Sequence, residues 1–228
     1  MNILVSGTVK QLNEFEKNFM NDSSENRVKS QATYRLNQGI LTEEDFINKP
    51  DIVFDLNFDD DTNRFKHYST KNGVVFFLSA TKVRLSDLLK KHTGSSCILY
   101  GLNCLPGFIN NKLLEVTIPD AKFENKLNLL ASELGFKYQK VKDQAGMVTP
   151  RIICMIINEA YFMLEEGTAT RDDIDKAMKL GTNYPYGPFE WANRIGVKNV
   201  CDILKAVFDE TGNVKYRINK LLEQSHGL

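Results

Sequence analysis

The pattern of apolar and polar positions along the chain changes once, near Gly146. Before that point short apolar runs alternate with amphipathic stretches: NILVSG, QLNEFEKNFM, VKSQATYRLN, DIVFDLNF, GVVFFLSA, LSDLLKKH, SCILYGLN, LLEVTI, KLNLLASELG and FKYQKV. Strand-like runs interleaved with helix-like segments predict βαβ units, and hence a mostly parallel sheet with helices on its faces. After Gly146 the repeat becomes helical. Ile152, Ile153, Ile156, Ile157, Ala160 and Leu164 recur on one wide apolar face, and no further strand candidate follows. The expected organisation is an α/β domain over 1–143 and an all-helical domain over 146–228.

Composition adds exclusions. The 228 residues, 42% hydrophobic, suffice for one large or two small cores. Twenty-nine acids balance 29 Lys and Arg, so the formal charge is zero and there is no electrostatic footprint for nucleic acid or an anionic membrane. No apolar run reaches the roughly 18–20 residues of a membrane span. Met1 leads straight into strand-like ILVSG without a basic segment or cleavage site, so the expected location is the cytoplasm. Cys97, Cys104, Cys154 and Cys201 form no C-x-x-C and have no neighbouring histidine; they read as buried thiols, and no metal site is expected.

Two segments carry a family likeness: GMVTPRIICMIINEAYFMLEEGTATRDDIDKAMKLGTNYPYGP (146–188) and FEWANRIGVKNVCDILKAVFDETGNVKYRINKLLEQ (189–224). They resemble the C-terminal helical domain of 3-hydroxyacyl-CoA dehydrogenases, with a G-x-x-x-x-R opening, an INEA-type helix, an acidic turn, a DIDKAMKLG helix start and an N-x-P-x-G-P loop. The resemblance covers about a third of the chain. It implies a Rossmann-like, NAD-binding first domain and a second domain that forms the dimer interface and one wall of an acyl pocket.

In that family the first strand ends in a glycine-rich turn whose amides meet the cofactor pyrophosphate. Here NILVSGTVKQLNEF keeps only Gly7, with Val9 at the second glycine and Leu12 at the third. A branched side chain crowds the phosphate approach, and leucine pushes helix and strand apart. Arg35 stands where an acid would hold the adenine ribose. It suits a 2′-phosphate, or is a solvated arginine in a pocket that binds no nucleotide. NAD is thus the implied cofactor, with weak or absent binding expected. Asp55 replaces the glutamate of an E-A-V motif. Asp59, Asp60 and Asp61 read as a solvated loop and helix start. The segment QGILTEEDFINKP is shorter than the family's helical excursion that contributes contacts to CoA, so CoA binding in the usual way is not expected.

The family's catalytic pattern G-L-H-F-F-N-P then K-L-V-E-V matches GLNCLPGFINNKLLEV (101–116) without a gap. Asn103 takes the place of the histidine base, and Glu115 that of the glutamate orienting it. Asparagine has no nitrogen that titrates near neutrality, so it hydrogen-bonds oxygen but takes no proton. Thr81, in LSATKV, stands where a serine touches the substrate hydroxyl, with Lys82 foreign beside it. Pro150 replaces a polarising asparagine but suits a first helical turn. His67, His92 and His226 read as surface residues. Lys82 and Cys104 are stand-in bases only if suitably buried.

Thr170 with Asp173 forms a helix start, and DIDKAMKLG is expected to stop at Gly181. Phe189, Trp191 and Ile195 open the next apolar face. The expectation is a dimeric family relative with little or no dehydrogenase activity, used in binding or assembly, with an acyl-CoA-like molecule as a candidate ligand. The alternative is an active NAD(P)-dependent oxidoreductase of 3-hydroxyacyl-CoA or related short hydroxy acids. A third is a purely structural protein.

Overall fold

The computed structural model describes residues 1–20 and 32–225; the first part of VKSQATYRLN and His226 lie outside them. The chain divides into two compact units, Met1–Met147 and Val148–Leu228.

The first unit holds seven strands: β1 (Asn2–Gly7), β2 (Thr33–Gln38), β3 (Ile52–Asp55), β4 (Val75–Ser79), β5 (Ile98–Leu102), β6 (Leu113–Thr117) and β7 (Lys137–Val141). They form one sheet in the order β2-β1-β3-β4-β5-β6-β7. Every pairing is parallel except β5 with β6. The helices are α1 (Val9–Phe15), α2 (Phe65–Tyr68), α3 (Leu85–Lys91) and α4 (Glu124–Leu134).

Side chains alternate across a strand, so both faces of this sheet are buried in separate cores. Ile3, Val5, Phe54 and Phe77 face one core with Leu12 and Phe15 of α1 and Leu127 and Leu134 of α4. Leu4, Val53, Phe76 and Leu78 face the other with Phe65 and Tyr68 of α2 and Leu85 of α3. The expected mostly parallel sheet with helices on both faces is what forms. QGILTEEDFINKP carries only a 3₁₀ turn, Glu43–Phe46, with Leu41 and Phe46 buried in the second core.

The described α-helices of the second unit, which has no strand among its described residues, are α5 (Thr149–Glu165), α6 (Arg171–Thr182), α7 (Pro188–Ile195), α8 (Val197–Thr211) and α9 (Lys220–Gln224). The buried face of α5 is Ile153, Cys154, Ile157, Ala160 and Tyr161. The wide face expected from the repeat is therefore narrower, since Ile152 is 52% exposed. Thr170 caps α6 by accepting the Asp173 N–H at 3.3 Å. That helix runs past Gly181 to Thr182 and ends at Asn183, whose φ is 55°. Asparagine tolerates the left-handed C-cap, whereas Gly181 is helical here. Gly187 is required sterically: a Cβ there would collide with Asp175, whose carboxylate caps α7 by accepting the N–H groups of Phe189 at 2.8 Å and Glu190 at 3.2 Å. Buried Asn158 ties the end of the chain to α5, accepting from Asn219 N–H at 2.9 Å and donating to the Arg217 carbonyl at 3.0 Å.

Candidate functional site

The strands β1, β3, β4 and β5 run parallel, so their C-terminal ends share one edge of the sheet. Gly7 closes β1, Asp55 closes β3, Thr81 follows β4, and Asn103 follows β5. The sheet thus brings four of the sequence-identified positions to one edge. The antiparallel pairing of β6 adds Glu115 there, since the Asn103 N–H donates to the Glu115 carbonyl at 3.4 Å. Arg35 lies within β2, and Pro150 is buried in the first turn of α5 in the second unit.

Asp55 is fully buried, and its carboxylate meets the Arg64 guanidinium at 2.9 Å and accepts the Tyr68 hydroxyl at 2.7 Å. Burial is the largest influence on this carboxyl and pushes its pKa up from 3.8 to about 6, against the opposing pull of Arg64 and Tyr68. Burial and the Asp55 charge push the Tyr68 phenol upward as well. Because the folded state holds the Asp55 proton more tightly than the unfolded chain, the stability it contributes is fully present below pH 3.8. It falls as pH rises towards 6. The expected loss is on the order of 2–3 kcal/mol. Chemical unfolding across that pH range should show the decline, and Asp55→Asn should flatten it; an unchanged slope in the variant would assign the effect to other groups.

Asp59 departs from the expected solvated loop. Its Oδ2 accepts the Thr81 N–H at 2.8 Å, the Thr81 hydroxyl at 2.8 Å and the Lys82 N–H at 3.2 Å. The turn after β4 wraps a half-buried carboxylate, because tight-turn amides need an acceptor when they leave solvent. Thr81 itself is fully buried. The Lys82 ammonium lies 2.5 Å from Asp60. Cys104 is not a stand-in base: burial raises its pKa well above the ordinary thiol value, and the charges of Asp59 and Asp55 add to this.

Asn103 is 6% exposed, and its side-chain carbonyl accepts the Leu105 N–H at 3.3 Å. That bond turns the chain out of β5 and commits one end of the amide to local structure.

At the turn after β1, Val9 is 54% exposed and Leu12 is buried in the core. Thr8 and Gln11 form a reciprocal capping box: the Thr8 Oγ1 accepts the Gln11 N–H at 3.3 Å, and the Gln11 Oε1 accepts the Thr8 N–H at 2.9 Å. The Thr8 amide is therefore already bonded within the chain. Arg35 is half-buried, and its guanidinium donates to the Asp45 carbonyl, while Asn37 donates to the Asp45 carboxylate at 3.0 Å. Both hold the 3₁₀ turn against β2. Where the resemblance implies a cradle for a dinucleotide pyrophosphate and ribose, this edge has a single glycine, a Thr8 amide bonded within the chain and an Arg35 engaged by Asp45.

Gln11, Asp59 and Arg64 are the polar groups at this edge that sequence reasoning missed. The spacing Thr8-x-x-Gln11 was a legible signal for Gln11. Arg64 carried none, because its partner Asp55 is set by the fold. His67 is half-buried, with Nδ1 2.6 Å from Glu43 and its ring edge-on to Phe46 at 5.0 Å; burial lowers its pKa most. The His92 ring lies edge-on to Phe65 at 5.2 Å. All four cysteines are free and buried, and no metal-binding group of His, Cys, Asp and Glu occurs among the described residues. No helix among them is long and apolar enough to cross a membrane.

Residues 146–226 match the family model of the 3-hydroxyacyl-CoA dehydrogenase C-terminal domain. The chain is 37% identical over 106 residues to 3-hydroxyadipyl-CoA dehydrogenase of Escherichia coli, a match covering 46% of this chain and 22% of that protein. It is 39% identical over 82 residues to 3-hydroxybutyryl-CoA dehydrogenase of Clostridioides difficile, covering 36% of this chain and 29% of that one. The matched stretch thus spans under a third of either relative. Among solved structures, M. tuberculosis FadB2 superposes with a TM-score of 0.74 at 14% identity, over 97% of this chain and 92% of its own. The (S)-3-hydroxybutyryl-CoA dehydrogenase of Ralstonia eutropha does so with a TM-score of 0.68 at 20% identity, over 98% and 92%. The structural matches establish the fold, and the sequence matches show that residues 146–226 are similar to the C-terminal domain of 3-hydroxyacyl-CoA dehydrogenases.

Proposed function

We propose that this protein is a 3-hydroxyacyl-CoA dehydrogenase-like protein with little or no dehydrogenase activity, acting through binding or assembly. The observation that carries the reading is Asn103 at the end of β5, where the family resemblance calls for a base. Its amide takes no proton, and its carbonyl already serves the Leu105 N–H. Pro150 at the start of α5 supplies no side-chain donor. A bound nicotinamide would accept hydride from the substrate carbon, but the turn at Gly7 lacks the glycines that bring amides to the cofactor's pyrophosphate, and NAD is expected to bind weakly or not at all. An acyl-CoA-like molecule remains the ligand class that the relatives' names suggest. The deciding experiment is the turnover assay set out in the Discussion.

A second reading, an active NAD(P)-dependent oxidoreductase of 3-hydroxyacyl-CoA or related short hydroxy acids, has one observation in its favour. Asp59 holds the Thr81 hydroxyl at 2.8 Å, an arrangement in which a carboxylate makes that oxygen a better acceptor. The same assay decides between the two.

The proposed assembly is a homodimer through the second unit. Between α5 and α6 lies an apolar groove of about 500 Å³ lined by Ile156, Ala160, Met163, Ile174 and Met178. Nearby Leu180 is 77% exposed. Apolar surface of this kind is costly to leave in water. Light scattering at micromolar concentration should return about twice the 26.0 kDa chain mass. A single-chain mass would contradict the dimer.

A further inference from the structure

The sheet order places β1 between β2 and β3, so the chain crosses from one side of β1 to the other between them. In open parallel sheets the crevice at such a reversal, outside the C-terminal ends of the two strands, is where ligands enter. Here it lies beyond Gly7 and Asp55. Gln11 is 6% exposed there and has every hydrogen-bonding position of its amide in use. Its Oε1 accepts the Thr8 N–H and the Thr8 hydroxyl, each at 2.9 Å. Its Nε2 donates to the Leu56 carbonyl at 2.7 Å and the Cys104 carbonyl at 3.0 Å. Capping α1 requires only the first of these four bonds. The two donated bonds do something else: they join the turn after β1 to the residue following β3 and to the chain beyond β5. The walls are close as well, for a Cβ on Gly7 would lie 3.1 Å from the Leu56 Cβ and 3.3 Å from the Gln11 Oε1.

We infer that Gln11 is a clasp across the C-terminal ends of β1, β3 and β5, and that it adds to the departures at Val9 and Leu12 in opposing dinucleotide entry. It saturates from within the chain the Thr8 amide and the Leu56 and Cys104 carbonyls. A ligand entering there must break buried bonds before it makes any. The inference rests on the reading that the unmodified protein binds dinucleotide weakly.

The test is Gln11→Met, which keeps the side chain's length and volume and removes all four bonds. NADH and ADP-ribose are titrated into parent and variant by calorimetry. Both probes share the pyrophosphate and adenosine, so both should bind the variant at least roughly tenfold tighter, about 1.4 kcal/mol. A variant that folds and binds both no better than the parent overturns the clasp while leaving the proposed function standing. A variant that no longer unfolds cooperatively also overturns it, since Gln11 would then be part of the fold and not a gate. Low-micromolar NADH binding by the parent is the separate result that removes the reading beneath it.

Discussion

Oxidation of 3-hydroxybutyryl-CoA by the purified protein, followed as NADH formation, is expected to run at least ~10²–10⁴ slower than in a relative with an intact histidine, the contribution of positioned proton transfer. The reason lies at the end of β5, where Asn103 holds the Leu105 N–H at 3.3 Å and offers no titrating nitrogen. Glu115 stays opposite it through main-chain pairing, Asn103 N–H to Glu115 carbonyl at 3.4 Å. The pairing keeps β6 in register whatever residue occupies position 103. The double change Asn103→His with Pro150→Asn asks whether chemistry alone was lost: recovered turnover would say so, and none would place the deficit in cofactor binding. Robust turnover by the unmodified protein, abolished by Asp59→Asn or Lys82→Ala, would show a replacement base and end the proposal of an inactive protein.

Titration with NADH is expected to show no saturation up to roughly 1 mM, where binding is worth only about 4 kcal/mol. Anion recognition at this position depends on backbone amides that a glycine-rich turn leaves open to the phosphate. Here Val9 projects 54% exposed from that turn, and the Thr8 amide is bonded to Gln11 at 2.9 Å. Replacing Val9 and Leu12 by glycine should tighten NADH binding. Because Leu12 is buried in the core that α1 shares with the sheet, the double variant should also lose stability, by about 2–5 kcal/mol for the lost leucine. Comparing Val9→Gly alone with the pair separates the two effects. Saturable low-micromolar binding by the unmodified protein would refute this expectation.

The order of the elements was legible in the sequence because apolar periodicity is a local property. Every strand run that lies within the described residues became a strand, and the change of period near Gly146 marks where strands give way to helices. So was the asparagine at the position where the resemblance calls for a base, since Asn103 falls in a motif that aligns without a gap. The sequence also placed Thr170 as a cap and Pro150 in a first helical turn, both short-range matters of backbone hydrogen bonding. Tertiary structure alone decided what the polar residues at the sheet edge do. Asp59 looked like one of three solvated acids until the fold brought the Thr81 turn onto it. Arg35 gains a partner in the Asp45 carbonyl only because the 3₁₀ turn packs beside β2. Asp55 became a proton-holding group with a pKa of about 6 because β3 buries it. Gln11 reaches carbonyls 45 and 93 residues away. Local pattern fixes which residues enter the sheet; partners brought together by strand order lie far apart in the chain, and no periodicity records them.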